Sequence, residues 1–167
     1  SYTDKEILEE IYDILEEICL PISYRKQGGQ GHQIRTGAIN QKRARQAVFG
    51  YSNYQQRKQI SAMSKKYPEI MKIFKIFIKN HFPQFKFTSV YVNKNVKCKK
   101  HLDAKNVGES LLVGLGDYTG GESILYLNGK EKKFNIKNSS LIFNGSEVEH
   151  KSVPFKGTRY SLVFFNS

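Results

Sequence analysis

Three side chains in the last third of the chain, His101, Asp103 and His150, could together bind a metal ion. They offer two imidazoles and one carboxylate, which is the donor set that holds non-haem Fe(II) and leaves its other coordination positions open. The spacing of two between His101 and Asp103 aims both side chains the same way on an extended chain. A His-x-Asp pair also occurs by chance, and a lone histidine is commonly a core residue. The joint occurrence of all three in a β-rich region nevertheless favours an iron site.

Arg159 and Ser161 could bind a carboxylate beside that site. They lie two residues apart at the start of the last predicted strand, so their side chains share one face. A buried guanidinium next to a hydroxyl binds a carboxylate through paired hydrogen bonds. The alternative is a surface arginine on an edge strand, which the apolar residues that follow disfavour. The pair therefore predicts a carboxylate-binding position.

Short strands must position these residues. After Pro83 the sequence alternates apolar and polar residues between glycine-containing turns, as half-buried strands do. The predicted strands are Phe85–Asn93, Lys97–His101, Ser110–Gly114, Ser123–Leu127, Lys132–Ile136, Ser140–Phe143, Val148–Ser152 and Arg159–Phe165. The predicted turns are Gly120–Gly121, Asn128–Gly129, Asn144–Gly145 and Lys156–Gly157. Eight such strands predict a double-stranded β-helix, or jelly roll.

The first half of the chain predicts helices around a basic stretch. Apolar residues at helical spacing predict a helix over 3–18, with Thr3 and Glu6 as a capping box. Residues 25–40 predict a loop, residues 41–60 are basic and aromatic with a break at Gly50, and a second helix is predicted from Pro68 to Lys79. The predicted fold class is α+β, mainly β, with N-terminal helices buttressing the jelly roll. We expect a single domain over 1–167, with a helical and basic part in 1–84 and the jelly-roll core in 85–167.

The net charge of +12 is concentrated in one stretch of the sequence. Between Glu17 and Glu69 there is no acidic residue, and that stretch carries ten lysines and arginines interleaved with aromatic residues. Cations with aromatics suit phosphate contact and base stacking. The alternative is a solvated basic surface without a specific partner. Segregation of the charge favours nucleic acid as the partner.

Composition limits the other classes of protein. No apolar run approaches the roughly 18 residues of a membrane span, so no membrane partner is expected. The polar N-terminus differs from a secretory signal, although the numbering may begin inside a longer protein. Two cysteines far apart in the sequence, Cys19 and Cys98, fit free thiols in a reducing compartment. We expect an intracellular monomer.

The stretch from Tyr91 to Phe165 resembles the 2-oxoglutarate/Fe(II) dioxygenases, and most of all their TET/JBP group, which oxidises methyl groups on nucleic-acid bases. It lacks the cysteine-rich region and long insert of TET enzymes and the separate modified-base domain of JBP, so we expect a minimal catalytic core or a fragment. The matching elements are Val92–Asn93, His101-x-Asp103-x-x-Asn106, Leu115–Glu122, Phe143–Gly145, His150 and Gly157-x-Arg159-Tyr-Ser161-Leu-Val-Phe.

The resemblance implies a function and a role for several residues. His101, Asp103 and His150 would bind Fe(II), and the enzyme would consume 2-oxoglutarate and O2. The distal carboxylate of 2-oxoglutarate would be held by Arg159 and Ser161, with Tyr91 and Asn93 beside it. Asn106 would recognise the target base, although a turn-forming asparagine is nearly as good an interpretation. The expected substrate is the methyl group of 5-methylcytosine or thymine, in DNA rather than RNA, which suggests a nuclear or viral setting.

A second resemblance covers the basic segment from Arg43 to Tyr51. AlkB-type repair enzymes carry a similar Arg-rich, aromatic-Gly segment, which predicts substrate contacts by Arg43, Arg45, Phe49 and Tyr51. AlkB enzymes have a second arginine six residues after the cosubstrate arginine, where this chain has Phe165. The alternatives are therefore an AlkB-like demethylase of N-alkylated bases, a prolyl-type hydroxylase of protein side chains, and a nucleic-acid-binding module without activity.

Overall fold

The computed structural model describes residues 4–23, 44–54, 57–104 and 106–166, and within them the protein is mainly β. The described helices are α1 (Asp4–Glu17), α2 (Ala62–Lys66) and α3 (Pro68–His81). The described strands are β1 (Arg45–Tyr54), β2 (Arg57–Ile60), β3 (Ser89–Lys94), β4 (Ser110–Gly120), β5 (Ser123–Leu127), β6 (Lys130–Phe134), β7 (Ser140–Phe143), β8 (His150–Ser152) and β9 (Phe155–Phe165).

The strands form two antiparallel sheets. The large sheet has the order β2-β1-β3-β9-β4-β7, and the small sheet has the order β6-β5-β8. The longest pairing joins β4 to β9 at the centre of the large sheet, from Leu111 opposite Phe164 to Gly120 opposite Phe155. Strand β9 also pairs with β3, with Asn93 opposite Ser161. The last strand of the chain therefore lies at the middle of the sheet, where both of its neighbours fix its position.

Helices α1 and α3 cover one face of the large sheet. Helix α1 buries its apolar stripe and leaves an acidic face in solvent, as an amphipathic helix does. Helix α3 begins with Pro68, which suits a first helical turn, and buries five apolar residues. Alternate residues of the strands meet the helices in one apolar core, which includes Ile7, Ile11, Leu15, Phe49, Phe74, Phe77, Val90, Val92, Leu111, Val113, Leu162 and Phe164.

The small sheet packs on the other face of the large sheet. Leu112 and Val163 of the large sheet meet Leu125 and Phe134 of the small sheet in a second, smaller core. Leu112 lies between Leu111 and Val113, which point to the helices, so the period of two along β4 serves both cores. In the described part of the chain no helix is long and apolar enough to cross a membrane.

Two predicted features of the β region are wrong. Lys97–His101 is not a strand, because β8 is short and this segment meets it through one isolated bridge at His101 and a few hydrogen bonds near Cys98. Lys156–Gly157 is not a turn but lies inside β9. Gly157 has φ 103°, and a Cβ there would lie 2.2 Å from the Asp117 carbonyl oxygen, so the glycine allows close strand pairing rather than a reversal.

Other boundaries are close to those predicted. Strands β5 and β7, the turn at Asn128–Gly129 and the start of α3 are confirmed. Strands β4 and β9 are longer than predicted, while β3, β6 and β8 differ from the predicted segments at one or both ends. The strands β1 and β2 were not predicted from the sequence of residues 41–60. Strand β1 pairs with β3 inside the large sheet. The large sheet therefore includes part of 1–84, whereas Thr3 and the predicted loop 25–40 lie outside the described residues.

Candidate active site

The three potential metal ligands lie at one edge of the small sheet. His150 begins β8, and His101 forms an isolated bridge with it through two backbone hydrogen bonds of 3.0 Å. The backbone N–H of Asp103 donates to the Gly145 carbonyl at 2.8 Å, which anchors the loop after His101 to the loop before β8. Main-chain bonds thus bring together side chains that are almost 50 positions apart in sequence.

The ligand atoms have the spacing of a facial metal site. His101 Nε2 lies 3.3 Å from Asp103 Oδ1, His150 Nε2 lies 3.1 Å from Asp103 Oδ2, and the three ligand atoms lie within 4.8 Å of one another. Three ligands at right angles and roughly 2.1 Å from a metal ion would be separated by about 3 Å. A single cation between the three groups would therefore reach all of them.

Both imidazole rings are oriented by backbone carbonyls. Nδ1 of His101 lies 2.5 Å from the Lys99 carbonyl oxygen, and Nδ1 of His150 lies 2.8 Å from the Val148 carbonyl oxygen. A carbonyl can only accept, so each Nδ1 carries the proton and each Nε2 of the neutral ring is left with its lone pair. This is the usual arrangement around a metal-binding histidine.

Asp103 is held in its charged form. Burial would raise the pKa of its carboxyl group, but His101 and His150, when their rings carry a proton on Nε2 as well as on Nδ1, donate hydrogen bonds and place positive charge beside it, which outweighs burial and holds that pKa well below its usual range. The carboxylate is therefore ionised at neutral pH. Two ring nitrogens and one carboxylate converge, and this donor set suits a divalent metal ion.

Arg159 lies in the middle of β9 and is buried, with 3% of its surface exposed. Its Nε and one terminal nitrogen donate to the Gly121 carbonyl at 3.2 and 3.0 Å, and its backbone N–H donates to Asn95 Oδ1 at 2.8 Å. These contacts leave other guanidinium N–H groups for an anion. A Cβ at Gly121 would lie 2.7 Å from Arg159 Nε, so the glycine makes the room that the arginine occupies.

Tyr118 is a site residue that the sequence prediction missed. It lies on β4 with 3% of its surface exposed, and the Arg159 guanidinium lies 5.7 Å from its ring centre. Burial raises the pKa of its hydroxyl and the nearby Arg159 guanidinium lowers it, yet that hydroxyl makes no hydrogen bond of regular geometry among the described residues. An unpaired buried hydroxyl is costly unless a ligand satisfies it. Gly114, Gly116 and Tyr118 are alternate residues of β4, and the first two pair with Ser161 and Arg159. The strand pairing therefore places Tyr118 next to these two residues, a relation that the sequence alone does not show.

A row of buried polar side chains crosses the large sheet beside Arg159. Gln46 Nε2 donates to Asn93 Oδ1 at 2.8 Å, and Asn93 Nδ2 donates to Ser161 Oγ at 3.2 Å. The hydroxyl of Ser23 donates to Gln46 Oε1 at the far end of the row. All four are at least nine-tenths buried, so their hydrogen bonds fix the orientation of Ser161. Tyr91 is half-buried two residues before Asn93.

Cys98 lies three residues before His101, and its backbone N–H and carbonyl are both hydrogen-bonded to Ser152 of β8. Burial raises the pKa of its thiol to about 11, while the charge of Arg159 lowers that pKa and the charge of Asp103 raises it. The thiol stays protonated at neutral pH and does not compete for the metal ion.

The predicted substrate residues are less well supported by their positions. Phe49 is wrong as a base contact, because it is fully buried and packs edge-on against Phe74 in the helix-side core. Arg45 uses its guanidinium to donate to the Leu20 carbonyl at 2.6 Å, so it ties the chain after α1 to β1. Tyr51 is 43% exposed, and Arg43 lies outside the described residues.

Asn106 lies close to the metal ligands but is engaged in its own loop. Its backbone N–H donates to the Asp103 carbonyl at 3.0 Å, which closes a turn. Its side-chain amide lies 3.4 Å from Ser110 Oγ. Base recognition by Asn106 stays a prediction, and the turn gives this residue a structural role beside it.

Comparisons with known proteins show what the fold resembles. No family model and no curated protein sequence matches the chain. Among solved structures, NgTET1 in complex with 5mC DNA is 18% identical with a TM-score of 0.61, covering 97% of this chain and 68% of that chain. A 2OG-Fe(II) oxygenase family protein from Burkholderia pseudomallei is 18% identical with a TM-score of 0.62, covering 96% and 78%.

A third solved structure is that of a protein bound to a peptide rather than to DNA. The prolyl hydroxylase of Trichoplax adhaerens, in complex with a hypoxia inducible factor peptide fragment, is 13% identical with a TM-score of 0.63, covering 97% of this chain and 76% of that chain. At these identities the similarity establishes a shared fold, and the three structures are about equally similar to this chain. The fold alone therefore does not discriminate between a nucleic acid and a protein as the substrate.

Proposed function

We propose that this protein is a 2-oxoglutarate- and Fe(II)-dependent oxygenase that hydroxylates a nucleic-acid base, with the methyl group of 5-methylcytosine or thymine in DNA as the first candidate. The observation that carries the proposal is the convergence of His101, Asp103 and His150 at metal-ligand spacing. We further infer that the two sheets are the two halves of a double-stranded β-helix.

The residues of the site have distinct roles in this chemistry. His101, Asp103 and His150 would hold Fe(II), and Arg159, Ser161 and Tyr118 would bind the distal carboxylate of 2-oxoglutarate through a guanidinium and two hydroxyls. With both groups bound, the chemistry supplied is oxidation of a C–H bond by O2, with 2-oxoglutarate converted to succinate and CO2. The protein contributes geometry, because its ligands are fixed before the substrate arrives.

Electrostatics favours a nucleic acid as the substrate. The chain carries a net charge of +12, and ten of its cations fall in a stretch of sequence without one acidic residue. A polyanion would be attracted to such a protein over a wide range of approach, whereas most peptides would not. A base in a duplex cannot reach the metal ion, so we expect a flipped or single-stranded target. The TET-like elements around His101 and Arg159 agree with a base as the substrate.

A protein side-chain hydroxylase is the second candidate function. It is favoured by the similarity to the prolyl hydroxylase of Trichoplax adhaerens, whose TM-score of 0.63 is about the same as the 0.61 and 0.62 of the other two structures. A basic protein could bind acidic peptides by the same long-range attraction that would bring a nucleic acid. The two candidates share the metal ligands and differ in what approaches them.

An incubation with competing substrates tests the proposal. The protein would be supplied with Fe(II), 2-oxoglutarate and, in separate reactions, DNA containing 5-methylcytosine, DNA containing N-methylated bases, and proline-containing peptides. We expect succinate together with hydroxymethylated nucleosides, detected by mass spectrometry, in the first reaction. The matched control is His150→Ala, which removes one ligand and should abolish both products.

Each other result has a defined meaning. Hydroxylated peptide without oxidised nucleoside would replace the base by a protein side chain. Loss of N-methyl groups alone would favour the AlkB-like alternative. Full activity in His150→Ala would overturn the assignment of the metal site, and so would a protein that binds no iron.

A further inference from the structure

We propose that Lys100, Tyr126 and Lys151, called here the lysine–tyrosine cluster, form a phosphate-binding surface on the outer face of the small sheet. This inference rests on the proposed function and adds to it the side of the protein along which the nucleic-acid backbone runs. None of the three residues was among those that the sequence predicted to contact a substrate.

The cluster brings two ammonium groups to one aromatic ring. Lys100 Nζ lies 4.0 Å and Lys151 Nζ lies 5.9 Å from the ring centre of Tyr126. Like charges repel at such separations, and cation–π attraction to the shared ring offsets part of that repulsion. In the described part of the chain, neither lysine forms an ion pair with a carboxylate. The positive charge of the cluster is therefore available to an anion.

The cluster is joined directly to the metal ligands. Lys100 precedes His101 and Lys151 follows His150, and these two histidines are bridged through their backbones. Successive side chains along an extended segment point to opposite faces, so the two lysines lie on the outer face while the two histidines face the metal position. A phosphate on the cluster would thus lie on the opposite face of β8 from the candidate metal site, at the edge of the small sheet.

Two described elements, α1 and β6, differ in charge in the same sense. Helix α1 carries seven of the 15 acidic residues and one lysine, and it covers the face of the large sheet that is away from the small sheet. Strand β6, beside Tyr126 in the small sheet, carries three lysines and one glutamate, all exposed. A polyanion would be repelled by α1 and attracted to the small sheet. Its approach is therefore directed to the side that bears the cluster.

The chemistry of the cluster fits a phosphate better than a base or an acidic peptide. A lysine ammonium lies 4.0 Å from the ring centre of Tyr126, so that face is occupied and base stacking on it is blocked. Ammonium groups bind phosphates as point charges without requiring a planar partner. Glu131 pairs across from Tyr126 and is exposed, and its charge disfavours a dense acidic peptide on this face.

Salt-dependent binding of an oligonucleotide tests the proposal. The variant Lys100→Gln/Lys151→Gln is compared with Lys72→Gln/Lys75→Gln, which removes two exposed lysines from α3 on the helix-covered side. Affinity for a labelled oligonucleotide containing 5-methylcytosine is measured by fluorescence anisotropy at several salt concentrations. We expect the cluster variant to bind several-fold more weakly, with the slope of log K against log salt reduced by about 2, because each lost phosphate contact removes about one unit. The α3 variant should keep the slope of the unmodified protein.

The outcomes separate the cluster from the proposed function. If the unmodified protein binds no oligonucleotide, the nucleic-acid proposal and the cluster both fail. If it binds and the cluster variant keeps its affinity and slope, or if both double variants lose equally, the cluster is overturned while the proposed function stands. The cluster is also overturned if the cluster variant loses affinity for a poly-glutamate peptide but not for the oligonucleotide.

Charge-retaining and single variants guard against a change in folding. Lys100→Arg/Lys151→Arg should preserve the salt slope, and iron binding reports on the integrity of the adjacent histidines. Should the double Gln variant lose iron, Lys100→Gln alone is expected to reduce the slope by about 1. An unchanged slope in that single variant would count against the cluster.

Discussion

The two faces of the large sheet are built from the same strands but have opposite chemistry. On the helix side, β9 contributes Leu162 and Phe164, which are fully buried among apolar residues of α1 and α3. On the other side, the same strand contributes Arg159 and Ser161, which are equally buried but polar and hydrogen-bonded. Both faces exclude water, so burial does not distinguish them. The difference lies in the chemistry of the buried atoms, which are apolar on one face and hydrogen-bonding on the other.

The helix-side face supplies the stability that the polar face requires. Burying charged and polar groups costs free energy unless they are paired, and the hydroxyl of Tyr118 has no partner in the described residues. The apolar core beneath α1 and α3 is large and contains several edge-to-face aromatic pairs. A β-strand with a period of two can thus carry packing on one side and chemistry on the other. Substitutions on the two sides should have different consequences.

The largest effect is expected from Asp103→Ala, which removes the carboxylate that contacts both His101 and His150. Loss of a residue that orients a ligand typically costs 10–100-fold in metal affinity or activity, so loss of a ligand itself should exceed roughly 100-fold. We expect iron affinity, measured by titration, and succinate production to fall together. Asp117→Ala, which removes an exposed carboxylate from β4, is the matched control and should change neither. Iron binding that survives in Asp103→Ala would contradict the facial arrangement.

The next effect belongs to the apolar face and concerns stability. Phe164 is fully buried, with its ring centre 5.6 Å from that of Phe74 and 5.2 Å from that of Phe87. Phe164→Ala should lower the free energy of unfolding by about 3–5 kcal/mol, the usual range for a buried phenylalanine. Urea denaturation measures this change. The remaining folded protein should still bind iron, and a selective loss of iron binding without loss of stability would show that the two faces are not separable.

Sequence reasoning selected His101, Asp103, His150 and Arg159 because their residue types restrict the chemistry, and the structure brings the first three together. Two imidazoles and a carboxylate in this pattern are seldom explained by packing alone. Their types and spacing therefore indicated a metal site before the fold was known. The helices α1 and α3 were also predictable, since their apolar residues repeat at helical spacing. The strand β5 and its turn at Asn128–Gly129 followed from local alternation and turn residues.

Features that depend on pairing between distant strands were not predictable. Residues 41–60 are basic and aromatic, so their sequence resembles a surface, yet pairing of β1 with β3 draws Gln46 and Phe49 into the interior. Tyr118 lies beside Arg159 because β4 lies opposite β9 over ten residue pairs. Local patterns predict which residues form a strand, whereas the partner of that strand depends on the whole chain.

The smallest and most discriminating effect comes from two tyrosines on opposite faces. Tyr160 points to the helix side, where its hydroxyl donates to the Glu16 carboxylate and joins α1 to β9. Tyr118 lies on the other side, and its hydroxyl is unpaired in the described residues. Tyr160→Phe should therefore cost about 1–2 kcal/mol of unfolding free energy and leave the KM for 2-oxoglutarate unchanged, because one hydrogen bond to a charged group is lost.

Tyr118→Phe should show the reverse behaviour. Removal of an unsatisfied buried hydroxyl is neutral or stabilising for the protein without ligand, while the loss of one donor to a carboxylate should raise the KM for 2-oxoglutarate by about tenfold. Urea denaturation without 2-oxoglutarate and steady-state succinate assays measure the two quantities in the same pair of variants. If Tyr118→Phe instead lowers stability and leaves the KM unchanged, its hydroxyl serves the fold, and the polar face would resemble the apolar face more than its chemistry indicates.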